Sequence, residues 1–158
     1  VSDRAREGLF SSLGELVLDA RCLDLYAGTG AMGIEALSRG ARSCDLVDSG
    51  PEAVKVIREN LRRAGVADRA RSVRADARAY LERSGDPYDL AFVDPPYAEP
   101  THRLGATLSA LVDRLAPDGR FALTRERRSS TDVVPVDWLV ERRLSYGDTL
   151  ILVCREGL

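Results

Sequence analysis

Asp94, Pro95, Pro96 and Tyr97 stand together directly after the apolar run Tyr88 to Val93. Two successive prolines fix two φ angles and remove two amide donors. The Pro95 carbonyl is left as an outward acceptor beside the Asp94 carboxylate, and a planar amine can donate to both. An exocyclic amine on a base is a poor nucleophile, because its lone pair is delocalised into the ring. Two acceptors that hold its hydrogens favour a pyramidal nitrogen, aimed at a methyl donor for direct in-line displacement. Tyr97 offers a face on which a base turned out of its stack can lie, a contact worth ~1 to 3 kcal/mol in single-strand binders. The plainer reading of the same four residues is a rigid turn with an Asp cap and a surface tyrosine.

A second constellation lies upstream. Asp24, Leu25, Tyr26, Ala27, Gly28, Thr29, Gly30, Ala31, Met32 and Gly33 place glycines where a strand must turn tightly into a helix close to a ligand. The spacing is GxGxxG, which dinucleotide binders share, so by itself it does not choose a ligand. Asp48 ends the second apolar run, where an acidic side chain can accept hydrogen bonds from ribose hydroxyls. NAD and S-adenosylmethionine both carry that ribose, and Asp48 can instead cap the helix opening at Pro51. Asp76 closes the third run, where it can accept from an adenine amino group or cap the helix after it.

These residues need elements to hold them, and the chain supplies an alternation of strand and helix signals. Cys22 to Tyr26 precedes Ala31 to Arg39, Cys44 to Val47 precedes Pro51 to Ala64, and Ala70 to Ala75 precedes Ala77 to Arg83. Tyr88 to Val93, Leu104 to Leu115 and Arg120 to Leu123 continue the series, with Gly, Pro or Asp at the breaks. Trp138 to Leu144 and Thr149 to Cys154 flank the turn Ser145 to Asp148 with no helix between them, and predict a closing antiparallel hairpin. The expectation is an α/β, doubly wound, mostly parallel seven-stranded Rossmann-like sheet in one domain over residues 1–158. Asp94 to Tyr97 then share a carboxyl edge with the glycine turn, where such sheets bind ligands. Before the first strand, Asp3 is expected to cap a helix bearing Ala5, Leu9, Leu13 and Leu16 on one side.

Composition narrows the classes. No apolar run approaches the ~20 residues of a membrane span, and Val1 to Arg6 lack the apolar segment of a signal peptide, so a cytoplasmic protein without a membrane partner is expected. The three cysteines, Cys22, Cys44 and Cys154, are too few and too far apart for a zinc site, and read as reduced packing residues with no metal. The 23 Lys and Arg against 25 Asp and Glu give a formal charge of -2, which argues against wrapping nucleic acid with an overall basic surface. Arg125, Arg127 and Arg128 can touch phosphates or form a solvated loop. The single histidine, His102, reads as exposed.

Asp24 to Gly33 and Asp94 to Tyr97 together resemble the amino-methyltransferases with an (Asp/Asn)-Pro-Pro-(Tyr/Phe) motif. The sequence is most similar to the bacterial 16S ribosomal RNA guanine-N2 methyltransferases, through the opening Asp3 to Phe10 and the closing Tyr146, Gly147, Asp148 and Thr149 as well. The resemblance implies S-adenosylmethionine as cofactor. Asp24, Tyr26 and Gly28 to Gly30, including Thr29, would hold its methionine part, with Asp48 on the ribose and Asp76 on the adenine. Asp94, Pro95, Pro96 and Tyr97 would hold a flipped-out guanine of ribosomal RNA or of a small-subunit particle, and the segment 1–20 would close the cofactor pocket. That family carries a basic stretch and an Arg-Pro-Thr ahead of the first helix, whereas this sequence starts at Val1. A DNA adenine-N6 methyltransferase would use the same chemistry with an added recognition domain. A protein-glutamine methyltransferase favours Asn where Asp94 stands. An NAD-binding module leaves Asp94 to Tyr97 unexplained, and a non-catalytic RNA-binding domain lacks a stacking platform.

Overall fold

A computed structural model describes residues 1–157. Helix α1 (Asp3–Leu13) and a short 3-10 turn (Gly14–Val17) lead into β1 (Arg21–Leu25), α2 (Ala31–Ser38), β2 (Ser43–Asp48), α3 (Pro51–Ala64), β3 (Ala70–Arg74), α4 (Ala77–Leu81), β4 (Tyr88–Val93), α5 (Thr101–Val112) and β5 (Leu115–Glu126), and the chain closes with β6 (Trp138–Tyr146) and β7 (Thr149–Glu156). The seven strands form one sheet in the order β3-β2-β1-β4-β5-β7-β6. β1 to β5 run parallel, and β7 inserts antiparallel between β5 and β6. This is the sheet the strand and helix signals predict. After β3 the chain crosses back to lay β4 on the other side of β1, so the topological switch point falls between β1 and β4. There the carboxyl ends of two neighbouring strands diverge and open a crevice.

Side-chain alternation along each strand feeds two cores, one on each face. Leu23 and Leu25 of β1 pack with Val47, Leu104, Leu108 and Phe121 on the α4 and α5 side. Cys22 packs with Phe10, Leu46, Ile57 and Phe92 on the α1, α2 and α3 side. The same alternation turns Asp24 toward α2. The three cysteines are buried and unpaired. Among the described residues no helix is long and apolar enough to cross a membrane.

Three local expectations are corrected. Ser2, not Asp3, caps α1: its hydroxyl accepts from the Ala5 amide at 3.1 Å. The helix stops at Gly14 (φ 53), so Leu16 lies in the 3-10 turn and is exposed instead of joining the apolar stripe. Helix α5 ends at Val112, before Leu115, and β5 begins at Leu115, ahead of Arg120, because Leu115 pairs with Tyr88 across a register shift that accommodates Asp118 at φ 64.

Gly8 ties α1 to the closing hairpin. A Cβ placed there would lie 1.8 Å from the Tyr146 hydroxyl oxygen and 2.3 Å from ring carbon Cζ, so the whole ring has to move. Gly8→Ala should therefore destabilise the protein although alanine favours a helix by about 1 kcal/mol. Overpacking at such a contact costs about 1 to 3 kcal/mol, and a net loss on the order of 1 kcal/mol is expected in urea denaturation. An unchanged or raised midpoint would show that Tyr146 swings away freely.

Candidate active site

The turn after β1 is built from positive φ angles at Tyr26 (60), Gly28 (60) and Gly30 (84). Each glycine answers a different constraint. A Cβ on Gly33 would lie 2.8 Å from Leu46 and 2.9 Å from the Cys44 sulfur, so this glycine lets α2 settle onto β2. At Gly28 a Cβ would meet nothing within 4 Å, and this residue faces open space at the crevice. Glycine tolerates the left-handed backbone that the turn requires.

Two carboxylates brace this turn from behind. Asp24 is almost fully buried, and its Oδ2 accepts from the Gly33 amide at 2.9 Å. Burial pushes its carboxyl up to about 8, with the nearby charges of Asp94 and Asp48 acting the same way against the Gly33 hydrogen bond. Asp48 accepts from Gly28 through Oδ2 and from Gly50 through Oδ1, each at 2.9 Å, and so clamps the glycine turn to the start of α3. The Thr29 carbonyl is held by the Asn60 side chain at 2.9 Å. Asp76 caps α4, its Oδ2 accepting from Ala79 at 3.1 Å.

Because a carboxyl raised in the folded state binds its proton more tightly there, Asp24 contributes stability below its ordinary pKa of about 4 and loses it as pH rises through about 8. Asp24→Asn keeps an acceptor for Gly33 and removes the titration. Its unfolding free energy should match the parent's near pH 4 and exceed it by up to a few kcal/mol near pH 9. Parallel pH profiles would mean that Asp24 titrates normally.

A cavity of about 620 Å³ opens at the carboxyl edge of β1, β2 and β4. It brings together Tyr26, Gly28, Asp48, Asp76 and Asp94 to Pro96. Asp24, Thr29 and Gly30 are not on its wall; they lie in and under the turn that forms it. Tyr97 borders a second cavity, of about 240 Å³, with Thr124, Arg125 and Ser129. Asp94, Pro95 and Pro96 line both, and are the partition between them. Burial raises the Asp94 carboxyl above its ordinary range. Tyr97 is 85% exposed, available to a ligand and not to the core.

The larger cavity also contains Glu99 and Arg103, which sequence reasoning missed. Glu99 sits between two prolines ahead of a helix, where a glutamate reads as an ordinary first-turn charge; only the tertiary fold turns it inward. Of the three arginines singled out, Arg125 borders the smaller cavity, while Arg127 and Arg128 line a separate hollow beside Asp148. His102 is exposed on α5 and reaches neither cavity. A larger hollow of about 740 Å³ lies at the opposite edge of the sheet, lined by ion pairs such as Arg71 with Asp45 and Arg21 with Asp86. No sequence motif reaches it.

The strand order and overall superposition are those of a Rossmann-like methyltransferase fold. Residues 1–155 match the family described as Conserved hypothetical protein 95, and the chain belongs to that family. It is 35% identical to ribosomal RNA small subunit methyltransferase D of Escherichia coli strain K12 over 148 residues, 92% of this chain and 73% of the relative. A Bacillus subtilis protein named YlbH, described as a candidate rRNA methyltransferase, is 30% identical over 158 residues, 98% of this chain and 86% of the relative. The solved structure of a candidate methyltransferase, yhhF from Escherichia coli, superposes with a TM-score of 0.87 at 32% identity, covering 99% of this chain and 88% of that one. The resemblance drawn from the motifs thus extends over nearly the whole chain.

Proposed function

We propose that this protein transfers a methyl group from S-adenosylmethionine to the exocyclic N2 amine of a guanine in small-subunit (16S) ribosomal RNA, with the base turned out of its stack. The observation that carries the reading is the partition: Asp94, Pro95 and Pro96 face both cavities at once. A group held on one side therefore meets a group held on the other at the acceptors suited to an amine.

The larger cavity fits the donor. Its volume, about 620 Å³, lies within the usual range for a cofactor site of roughly 300 to 1,000 Å³. Gly28 leaves room for close approach, the Asp48 carboxylate is bonded to the glycine turn, and a buried oxygen of Glu99 has no hydrogen-bond partner among the described residues. When bound, S-adenosylmethionine supplies a methyl group made electrophilic by a sulfonium. Asp48 would accept from the ribose hydroxyls, while Asp24, Tyr26, Gly28, Thr29 and Gly30 form or support the turn beside the methionine part and Asp76 borders the adenine.

On the other side Tyr97 would stack on the base. Asp94 and the Pro95 carbonyl would hold the amine hydrogens, leaving the nitrogen lone pair aimed at the donor's methyl group. The names of the relatives favour a ribosomal RNA acceptor, and Arg125 beside the smaller cavity is placed to meet a phosphate.

Calorimetry separates this reading from the nucleotide binders that share the glycine spacing. S-adenosylmethionine and S-adenosylhomocysteine should bind with micromolar affinity and NAD should not; binding of NAD alone would overturn the assignment. With labelled donor, small-subunit RNA or particles should take up the label, and transfer to DNA or protein alone would replace the acceptor.

A further inference from the structure

We infer that Glu99 reads the amine edge of the donor's purine and makes the site selective for a 6-amino over a 6-oxo base. This rests on the donor reading above and adds to it a specificity-determining residue. The Glu99 side chain is only 10% exposed and lies on the wall of the larger cavity. Its Oε1 is buried and has no hydrogen-bond partner among the described residues. The closest cation, Arg103 Nε, is 3.8 Å away, beyond hydrogen-bond reach, and the Arg103 side chain is largely exposed. Buried carboxylate oxygens are almost always satisfied, and one that borders a cavity is satisfied by what enters it. The missing partner is therefore a donor N–H or O–H.

The neighbouring carboxylates decide which one. Asp48 lies at the glycine end, bonded to Gly28, and with Asp94 it acts on Asp24. Glu99 and Asp76 mark the other end, where α4, capped by Asp76, packs against α5, which Glu99 precedes, and both carboxylates line the cavity. At that end Asp76 already spends Oδ2 on the Ala79 amide as the cap of α4. With the ribose at Asp48 and the methionine part at the turn, the donor's remaining N–H group is the amino group of its purine. A 6-oxo purine would instead present a carbonyl oxygen to the Glu99 carboxylate, two acceptors face to face.

The test compares S-adenosylhomocysteine with its inosine counterpart by calorimetry, so that the readout is binding and not turnover. The parent should prefer the adenosine compound by roughly tenfold or more, the range of one hydrogen bond to a charged group. Glu99→Gln keeps the size of the side chain and adds an N–H donor. It should weaken the adenosine compound, strengthen the inosine compound and bring the two within roughly threefold, with the unfolding midpoint unchanged. Unchanged selectivity in Glu99→Gln would overturn the assignment of Glu99. If the parent fails to bind S-adenosylhomocysteine at all, the donor reading itself falls, and this inference with it.

Discussion

Asp94→Ala should lose methyl transfer by at least about a hundredfold in kcat while binding S-adenosylhomocysteine within a few-fold of the parent. The asymmetry follows from the partition. Asp94 borders both cavities, but on the proposed reading the donor contacts belong to Asp48 and Glu99, whereas the Asp94 carboxylate and the Pro95 carbonyl would hold the acceptor amine. Removing one preorganised partner of a reacting group commonly costs 10²- to 10³-fold. Because burial raises the Asp94 carboxyl, the acid limb of the rate profile should fall at a pH above the ordinary aspartate range near 4, with activity rising as Asp94 ionises. Turnover near the parent rate would remove Asp94 from the chemistry, and a parallel loss of donor affinity would make it a binding residue.

Asp48→Ala should weaken both the donor and its demethylated product by roughly 10- to 100-fold, consistent with about 1.5 to 3 kcal/mol for hydrogen bonds to a charged group. A second effect adds to the first. Asp48 holds the Gly28 and Gly50 amides, so the variant frees the turn that the donor must approach and should lower the unfolding midpoint as well. Unchanged affinity in Asp48→Ala by calorimetry would take this carboxylate out of the site.

The architecture was legible because the β-α alternation leaves few ways to cover a parallel sheet, and because the glycine turn and Asp94 to Tyr97 each follow a strand. The single-residue roles were less so. Asp48 and Asp76 could be ligand acceptors or structural braces from sequence alone, and both have backbone partners: Asp48 braces the turn, Asp76 caps a helix. Asp24 precedes the glycines as a cofactor-binding residue would, yet strand alternation buries it under the turn. The early start of β5 was hidden because Pro117, Asp118 and Gly119 read as a break, while pairing with Tyr88 overrides that local preference. Glu99 carried no signal, since its position on the cavity wall depends on how the chain after β4 turns toward α5. Tertiary packing decides such positions, and propensity does not.

On the proposed reading the smaller cavity presents a guanine amine of small-subunit RNA to the partition at Asp94. Small ribosomal subunits, and RNA extracted from them, taken from cells lacking this activity should be incubated with the protein and isotopically labelled S-adenosylmethionine, then digested to nucleosides and separated by mass. The label should appear in N2-methylguanosine from a single site, and Asp94→Ala should give none. Label in methylated adenosine, in methylated glutamine of a protein, or spread over many sites would contradict the account.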